Sequence, residues 1–135
     1  MFFFWFTVKR ILIRFASDHN MSKIIWQLGN EPNSFKHEFN LTISGAQLGR
    51  DFLTLKNLLT KFPMFKDSLL VGPDINRVGK CYKLKTCEPL EYLDDVVTNA
   101  NGALDALTWH HYYLDGKKVD LSIVYGIRVI ITVLS

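Results

Sequence analysis

The sequence has 135 residues, of which 48% are hydrophobic, 21% charged and 13% aromatic. This composition is typical of a globular domain, or of part of one, and it excludes a disordered chain. The formal net charge is +3 and most basic residues are dispersed, so nucleic-acid binding is not predicted.

The chain begins with an apolar run, 1–8, that precedes the positive charges of Lys9 and Arg10 instead of following them. No small-residue cleavage site comes after the run, so its pattern differs from that of a secretory signal segment. Whether this end is a targeting element stays open from the sequence.

Amphipathic helical segments then alternate with short apolar segments. The predicted elements are a helix ending within 10–19, a strand at 23–28, a helix at 46–61, a strand at 69–71, a helix at 90–103 and a strand at 106–113. This alternation is typical of βαβ units and predicts an α/β fold with a parallel sheet covered by helices. We interpret it as a partial (β/α)8 TIM barrel containing roughly the middle strands.

Polar residues follow each predicted strand, where a barrel of this type places its functional groups. The three strands end in 29–32 (Gly-Asn-Glu-Pro), 72–74 (Gly-Pro-Asp) and 110–113 (His-His-Tyr-Tyr). Partial burial of Glu31 would raise its pKa and suit it to protonate a leaving oxygen, with Asn30 placed to bind a sugar hydroxyl. The tripeptide alone leaves a second reading open, in which it only caps the next loop.

Longer motifs favour the catalytic reading. The run 25–35 (Ile-Trp-Gln-Leu-Gly-Asn-Glu-Pro-Asn-Ser-Phe) resembles the acid/base strand of animal heparanases, in glycoside hydrolase family 79. The resemblance continues, in order and in register, through 45–52 (Gly-Ala-Gln-Leu-Gly-Arg-Asp-Phe), 72–74 and 107–116 (Leu-Thr-Trp-His-His-Tyr-Tyr-Leu-Asp-Gly). It covers the chain from about Ile11 to Gly116, so the predicted domains are a partial catalytic domain at 1–116 and a divergent apolar tail at 117–135.

The resemblance implies a retaining endo-β-glucuronidase that acts on heparan sulfate in the extracellular matrix or lysosome, with no cofactor. It implies that Glu31 is the proton donor and that His110 and Tyr112 line the substrate site. It also implies secretion, peripheral matrix or membrane association through proteoglycans, and N-glycans on the sequon residues Asn20 and Asn40.

The segment after Asp74 supports a polyanionic partner on its own composition. It holds four cations and no acid within nine residues, and these four are Arg77, Lys80, Lys83 and Lys85. Sulfated, carboxylated sugars bind through charge-assisted hydrogen bonds to such groups. A solvated loop with a charge run is the alternative. Strand alternation places Thr108, His110 and Tyr112 on one face of the third strand.

Several features depart from the family pattern. Gln27 stands where animal heparanases usually carry Glu, and Arg77 stands where Gln is frequent. Retaining hydrolysis needs two carboxyl groups about 5–5.5 Å apart. In the family, the second carboxyl group comes from a strand well beyond the His-His-Tyr-Tyr motif, where this chain no longer resembles the family. Asp74 matches a non-nucleophilic family residue and Asp115 lies in a predicted turn, so we expect no nucleophile in this chain.

Two functions therefore remain open for the chain. The first is the acid/base-bearing part of a heparanase-like glycosidase, which we expect to be inactive by itself. The second is a non-catalytic homologue that binds heparan sulfate or a heparin-like polysaccharide. The two cysteines, Cys81 and Cys87, have no His or Cys partner at metal-ligand spacing, so no metal site is predicted, and a disulfide and two thiols are both open.

Overall fold

The structure is a computed structural model that describes residues 11–22, 24–76, 88–111 and 128–133. Its helices are α1 (11–18), α2 (Phe35–Phe39), α3 (Gly45–Leu59) and α4 (Glu88–Ala100), with a 3-10 turn at Pro32–Ser34. Its strands are β1 (Trp26–Gln27), β2 (Leu70–Ile75), β3 (Ala106–His111) and β4 (Arg128–Val133). In the ranges given, no helix is both long enough and apolar enough to span a bilayer.

The four strands form one sheet in the order β1-β2-β3-β4. The pairs β1–β2 and β2–β3 are parallel, as the alternation of helices and strands predicts, so the α/β class is confirmed. The β4 strand pairs antiparallel with β3 along its whole length. It lies in the apolar tail for which no strand was predicted.

The β2 strand is longer than predicted because Gly72 and Pro73 do not end it. The strand was predicted to end at Val71, before this pair, whereas β2 pairs with β3 from Val71 to Ile75. Gly72 is required by packing: a Cβ there would lie 2.3 Å from the ring of Phe52. Phe52 is fully buried on α3, so this glycine lets the helix rest directly on the strand.

The α3 helix begins after Ser44, whose side chain accepts a hydrogen bond from the backbone N–H of Gln47 at 3.2 Å, as an N-cap residue does. Its buried stripe includes Phe52, Leu55 and Leu59, with Leu58 partly buried beside them. The stripe covers one face of the sheet together with apolar residues of α1 and α4. Helix α3 therefore holds the sheet in place by packing against it.

Asp105 connects α3 to the start of β2. Its Oδ2 accepts hydrogen bonds from the backbone N–H of Leu70 at 2.7 Å and from Lys56 Nζ at 2.8 Å. Leu70 is fully buried, so loss of the carboxylate leaves its N–H without that acceptor. We expect Asp105→Ala to lower the free energy of unfolding by about 1–3 kcal/mol in urea denaturation.

The matched control removes only the ion pair of Asp105. Both charged side chains are partly exposed, with relative exposures of 25% and 32%, so solvent screens their attraction. We expect Lys56→Ala to cost less than about 1 kcal/mol. An equal loss in the two variants would contradict a principal role for the backbone hydrogen bond.

Candidate active site

The carboxyl ends of β1, β2 and β3 bring four side chains into mutual contact. Glu31 follows β1, Asp74 lies near the end of β2, Asn76 follows β2, and His110 lies near the end of β3. Because the three strands are parallel, these ends meet at one edge of the sheet. The site is therefore built by the sheet topology, although its residues are far apart in sequence.

Glu31 is held by its backbone and by both of its carboxylate oxygens. Its backbone has a φ of 48°, in the left-handed region, and its N–H donates to the carbonyl of Asp74 at 2.9 Å. Oε1 lies 2.6 Å from His110 Nδ1, and Oε2 accepts from Asn76 Nδ2 at 2.8 Å. A left-handed backbone at a non-glycine residue costs free energy and is concentrated at functional sites.

Asn76 ties the loop after β1 to the end of β2. Its amide donates to Glu31 and also to the hydroxyl of Ser34 at 2.5 Å. Its backbone N–H and its side-chain oxygen are bonded in turn by the amide of Asn33, at 3.2 Å each. Asn76 is buried, so these bonds fix one rotamer of Glu31 from the side opposite His110.

His110 lies between Glu31 and a second carboxylate. Its Nε2 lies 3.0 Å from Asp74 Oδ2, which also accepts a hydrogen bond from Gln27 Nε2 at 2.8 Å. The side chains of His110 and Asp74 are 12% and 5% exposed, and that of Glu31 is 21% exposed. The hydrogen-bonded series Gln27–Asp74–His110–Glu31 therefore runs from an exposed amide, through a buried carboxylate and a largely buried imidazole, to a partly exposed carboxyl group.

This arrangement can perform proton chemistry at Glu31. The carboxyl group is reachable from solvent yet fixed in one orientation, which an acid that protonates a bound oxygen requires. In the ranges 11–22, 24–76 and 88–110, no group of three or more His, Cys, Asp or Glu side chains has the arrangement of a metal site. The contact of the Glu31 carboxyl group with His110 points to acid/base chemistry carried by side chains.

The predicted site residues fall into three groups. Glu31 and His110 lie together, and their roles stay predictions. Asn30 is exposed beside them, and the sequon residues Asn20 and Asn40 are exposed on helix-flanking turns. The remaining predicted contacts lie outside the described residues, as do both cysteines and Asp115. These contacts are Arg77, Lys80, Lys83, Lys85 and Tyr112.

Sequence reasoning missed the residues that hold Glu31 in place. It named Gln27 only as a departure from the family pattern, and it gave no role to Asn33, Ser34 or Asn76. A weak signal existed, because Asn76 is a polar residue directly after a buried strand. That signal does not indicate which residue Asn76 contacts, because Asn76 and Glu31 are 45 residues apart in sequence.

Comparison with curated proteins relates the chain to the heparanases. It is 40% identical over 109 residues to the heparanase of Rattus norvegicus, an alignment that covers 80% of this chain and 18% of that protein. It is a partial homologue of the heparanase-like glycoside hydrolases. The homology extends to a hyaluronoglucuronidase of Hirudo nipponia, 33% identical over 99 residues, which is 73% of this chain and 18% of that enzyme.

The heparanase homology does not by itself decide catalysis. The chain is also 36% identical over 96 residues to the inactive heparanase-2 of Homo sapiens, covering 71% of this chain and 15% of that protein. The chain spans 15–18% of the length of these curated relatives. No protein-family model matches it.

Proposed function

We propose that this heparanase homologue carries the acid/base carboxyl of a retaining endo-β-glucuronidase that cleaves heparan sulfate, with Glu31 as the proton donor. The observation that carries the proposal is the position of Glu31, fixed by His110 and Asn76 within the segment that matches the heparanases. The sheet is proposed to be part of a (β/α)8 barrel, which would place Glu31 at the carboxyl ends of its strands.

In this mechanism Glu31 protonates the glycosidic oxygen as the sugar–oxygen bond breaks. The sugar carbon then forms a bond to a nucleophilic carboxylate, and Glu31 later removes a proton from the water that hydrolyses this bond. Asp74 does not fit the role of nucleophile, because its Oδ2 is occupied by His110 and Gln27 and its side chain is 5% exposed. The nucleophile is proposed to come from outside the described residues.

The substrate is proposed to be bound by cations of the 77–85 segment and by Asn30, His110 and Tyr112. Glycosylation at Asn20 and Asn40 and a location in the extracellular matrix or lysosome are part of the same proposal. The exposure of both asparagines supports their access to a glycosylating enzyme. Association with matrix or membrane would follow from binding to proteoglycans.

A second candidate function is binding of heparan sulfate without cleavage. The relationship to a protein named inactive heparanase-2 favours it, since a homologous segment occurs there in a protein without activity. Binding would use the same cationic segment and would not require proton transfer at Glu31. The two functions therefore differ in whether sugar chains are cut.

The two candidates are separated by incubating the full-length protein, meaning the complete gene product that contains this chain, with heparan sulfate and, in parallel, with hyaluronan. New reducing ends from heparan sulfate alone would support the heparanase-like activity, and new ends from hyaluronan alone would overturn the proposed substrate. Retention on a heparin column with no new reducing ends from either polymer would favour the binding function. N-desulfated heparin serves as a test for contacts with N-sulfate groups, since retention through charge-assisted hydrogen bonds to these groups would weaken on it.

A further inference from the structure

His110 contacts a carboxylate through each of its two ring nitrogens. Nδ1 lies 2.6 Å from Glu31 Oε1 and Nε2 lies 3.0 Å from Asp74 Oδ2. A neutral imidazole carries hydrogen on only one ring nitrogen, and an ionised carboxylate can only accept. Two hydrogen bonds at these distances therefore need two hydrogens shared among the three side chains.

The number of hydrogens sets the charge of the cluster formed by Glu31, His110 and Asp74. With two hydrogens its net charge is −1, whether an imidazolium lies between two carboxylates or a neutral imidazole accepts from a protonated Glu31. With one hydrogen the net charge is −2, and two acceptors would face each other in one of the two contacts. The observed geometry fits the cluster with two hydrogens.

Gln27 decides which hydrogen is fixed and which is shared. Its amide Nε2 can only donate, and it donates to the same Asp74 oxygen that faces His110 Nε2. Asp74 Oδ2 is thus an acceptor, so Nε2 keeps its hydrogen and Nδ1 faces Glu31. Glu31 and Asp74 each bring a charged group into contact with His110, while β1 contributes the neutral Gln27, which contacts Asp74.

We propose that Glu31 and His110 share one proton across the 2.6 Å contact, and that Asp74 and Gln27 hold the imidazole in the tautomer that makes this sharing possible. Moving the proton from Nδ1 to Oε1 converts an imidazolium and a carboxylate into an imidazole and a carboxylic acid, with no other bond changed. His110 is thus a positioning residue that keeps a proton available to Glu31. The role of His110 in catalysis rests on the proposed function, whereas the sharing of the proton does not depend on it.

The test uses NMR of the 135-residue chain with ¹⁵N-labelled histidine rings. The chain has four histidines, and His110 is assigned by the signals lost in His110→Gln. We expect the Nδ1 signal of His110 to lie between the positions of a protonated and an unprotonated ring nitrogen, because its proton is shared with Glu31, while Nε2 gives the signal of a protonated nitrogen. In Glu31→Gln we expect the Nδ1 signal to move to one of these two positions, while the signals of the exposed His19 stay the same in both proteins. An Nδ1 signal at the same position in wild type and Glu31→Gln would overturn the proposal.

A second variant keeps the test decisive if Glu31→Gln does not fold. In Asp74→Asn the amide oxygen can still accept from Nε2, but the negative charge is lost. The loss of this charge disfavours the imidazolium, so we expect the Nδ1 signal of His110 to move toward the position of an unprotonated nitrogen. The control Asp67→Asn removes an exposed carboxylate outside the cluster and leaves this signal unchanged. An Nδ1 signal that does not move in Asp74→Asn would overturn the role of Asp74.

The two proposals fail separately. An intermediate Nδ1 signal in a protein that cuts no heparan sulfate would support the shared proton and remove only the proposed glycosidase activity. In an active full-length protein, Asp74→Asn should alter the pH profile of kcat with little change in KM. An equal rise in KM at every pH, with kcat unchanged, would instead assign Asp74 to substrate binding and overturn its positioning role.

Discussion

Glu31→Gln is expected to lower the rate of heparan sulfate cleavage by the full-length protein by about 10²- to 10⁴-fold. The amide has nearly the same shape as the carboxyl group and can keep contacts with His110 and Asn76. It cannot transfer a proton to the glycosidic oxygen, so the loss should appear in kcat. Heparin affinity should be unchanged, because it depends on cations and not on this carboxyl group.

The matched control for this substitution is Glu38→Gln. Glu38 is an exposed glutamate on α2, seven residues along the chain and outside the contacts of the site. The same chemical change there should leave cleavage and heparin affinity as in the wild type. Cleavage that persists at the wild-type rate in Glu31→Gln would contradict the assignment of Glu31 as the proton donor.

Much of the site's position could be predicted from the sequence. Alternating helices and strands indicated a parallel sheet, and parallel strands bring their carboxyl ends to one edge. Glu31, Asp74 and His110 each follow or end a predicted strand, so their proximity was accessible from pattern alone. The structure has this sheet and places the three residues in one cluster.

The contacts that orient Glu31 could not be predicted in the same way. Glu31 and Asp74 both have a left-handed backbone, with φ of 48° and 59°, a conformation that their residue types do not signal. Asn76 reaches Glu31 across 45 residues of sequence. Gly72 illustrates a different error, since Gly72-Pro73 was predicted to close the strand, while packing against Phe52 keeps Gly72 inside it. Local signals describe single segments, whereas these features arise between segments.

The close approach of α3 and α4 depends on two glycines. Gly49 lies on the face of α3 that contacts α4, and a Cβ there would lie 2.5 Å from the carbonyl oxygen of Val96 and 2.9 Å from the backbone N of Ala100. These are backbone atoms of a helix, so they cannot move aside as the end of a side chain can. Gly45 has the same relation to α4 one turn earlier, with a distance of 2.5 Å to the carbonyl oxygen of Tyr92.

Gly49→Ala is therefore expected to lower the free energy of unfolding by about 1–3 kcal/mol, as overpacking does. The gain of about 1 kcal/mol in helix propensity opposes this loss, but it cannot remove an overlap with backbone atoms. Urea denaturation measures the change, with Asn57→Ala as the control on the exposed side of α3, where we expect a change within about 0.5 kcal/mol. A stabilised Gly49→Ala variant would mean that α3 and α4 can separate at little cost. In that case the glycines at 45 and 49 do not set the position of the helix that covers β2 and supports the Glu31 site.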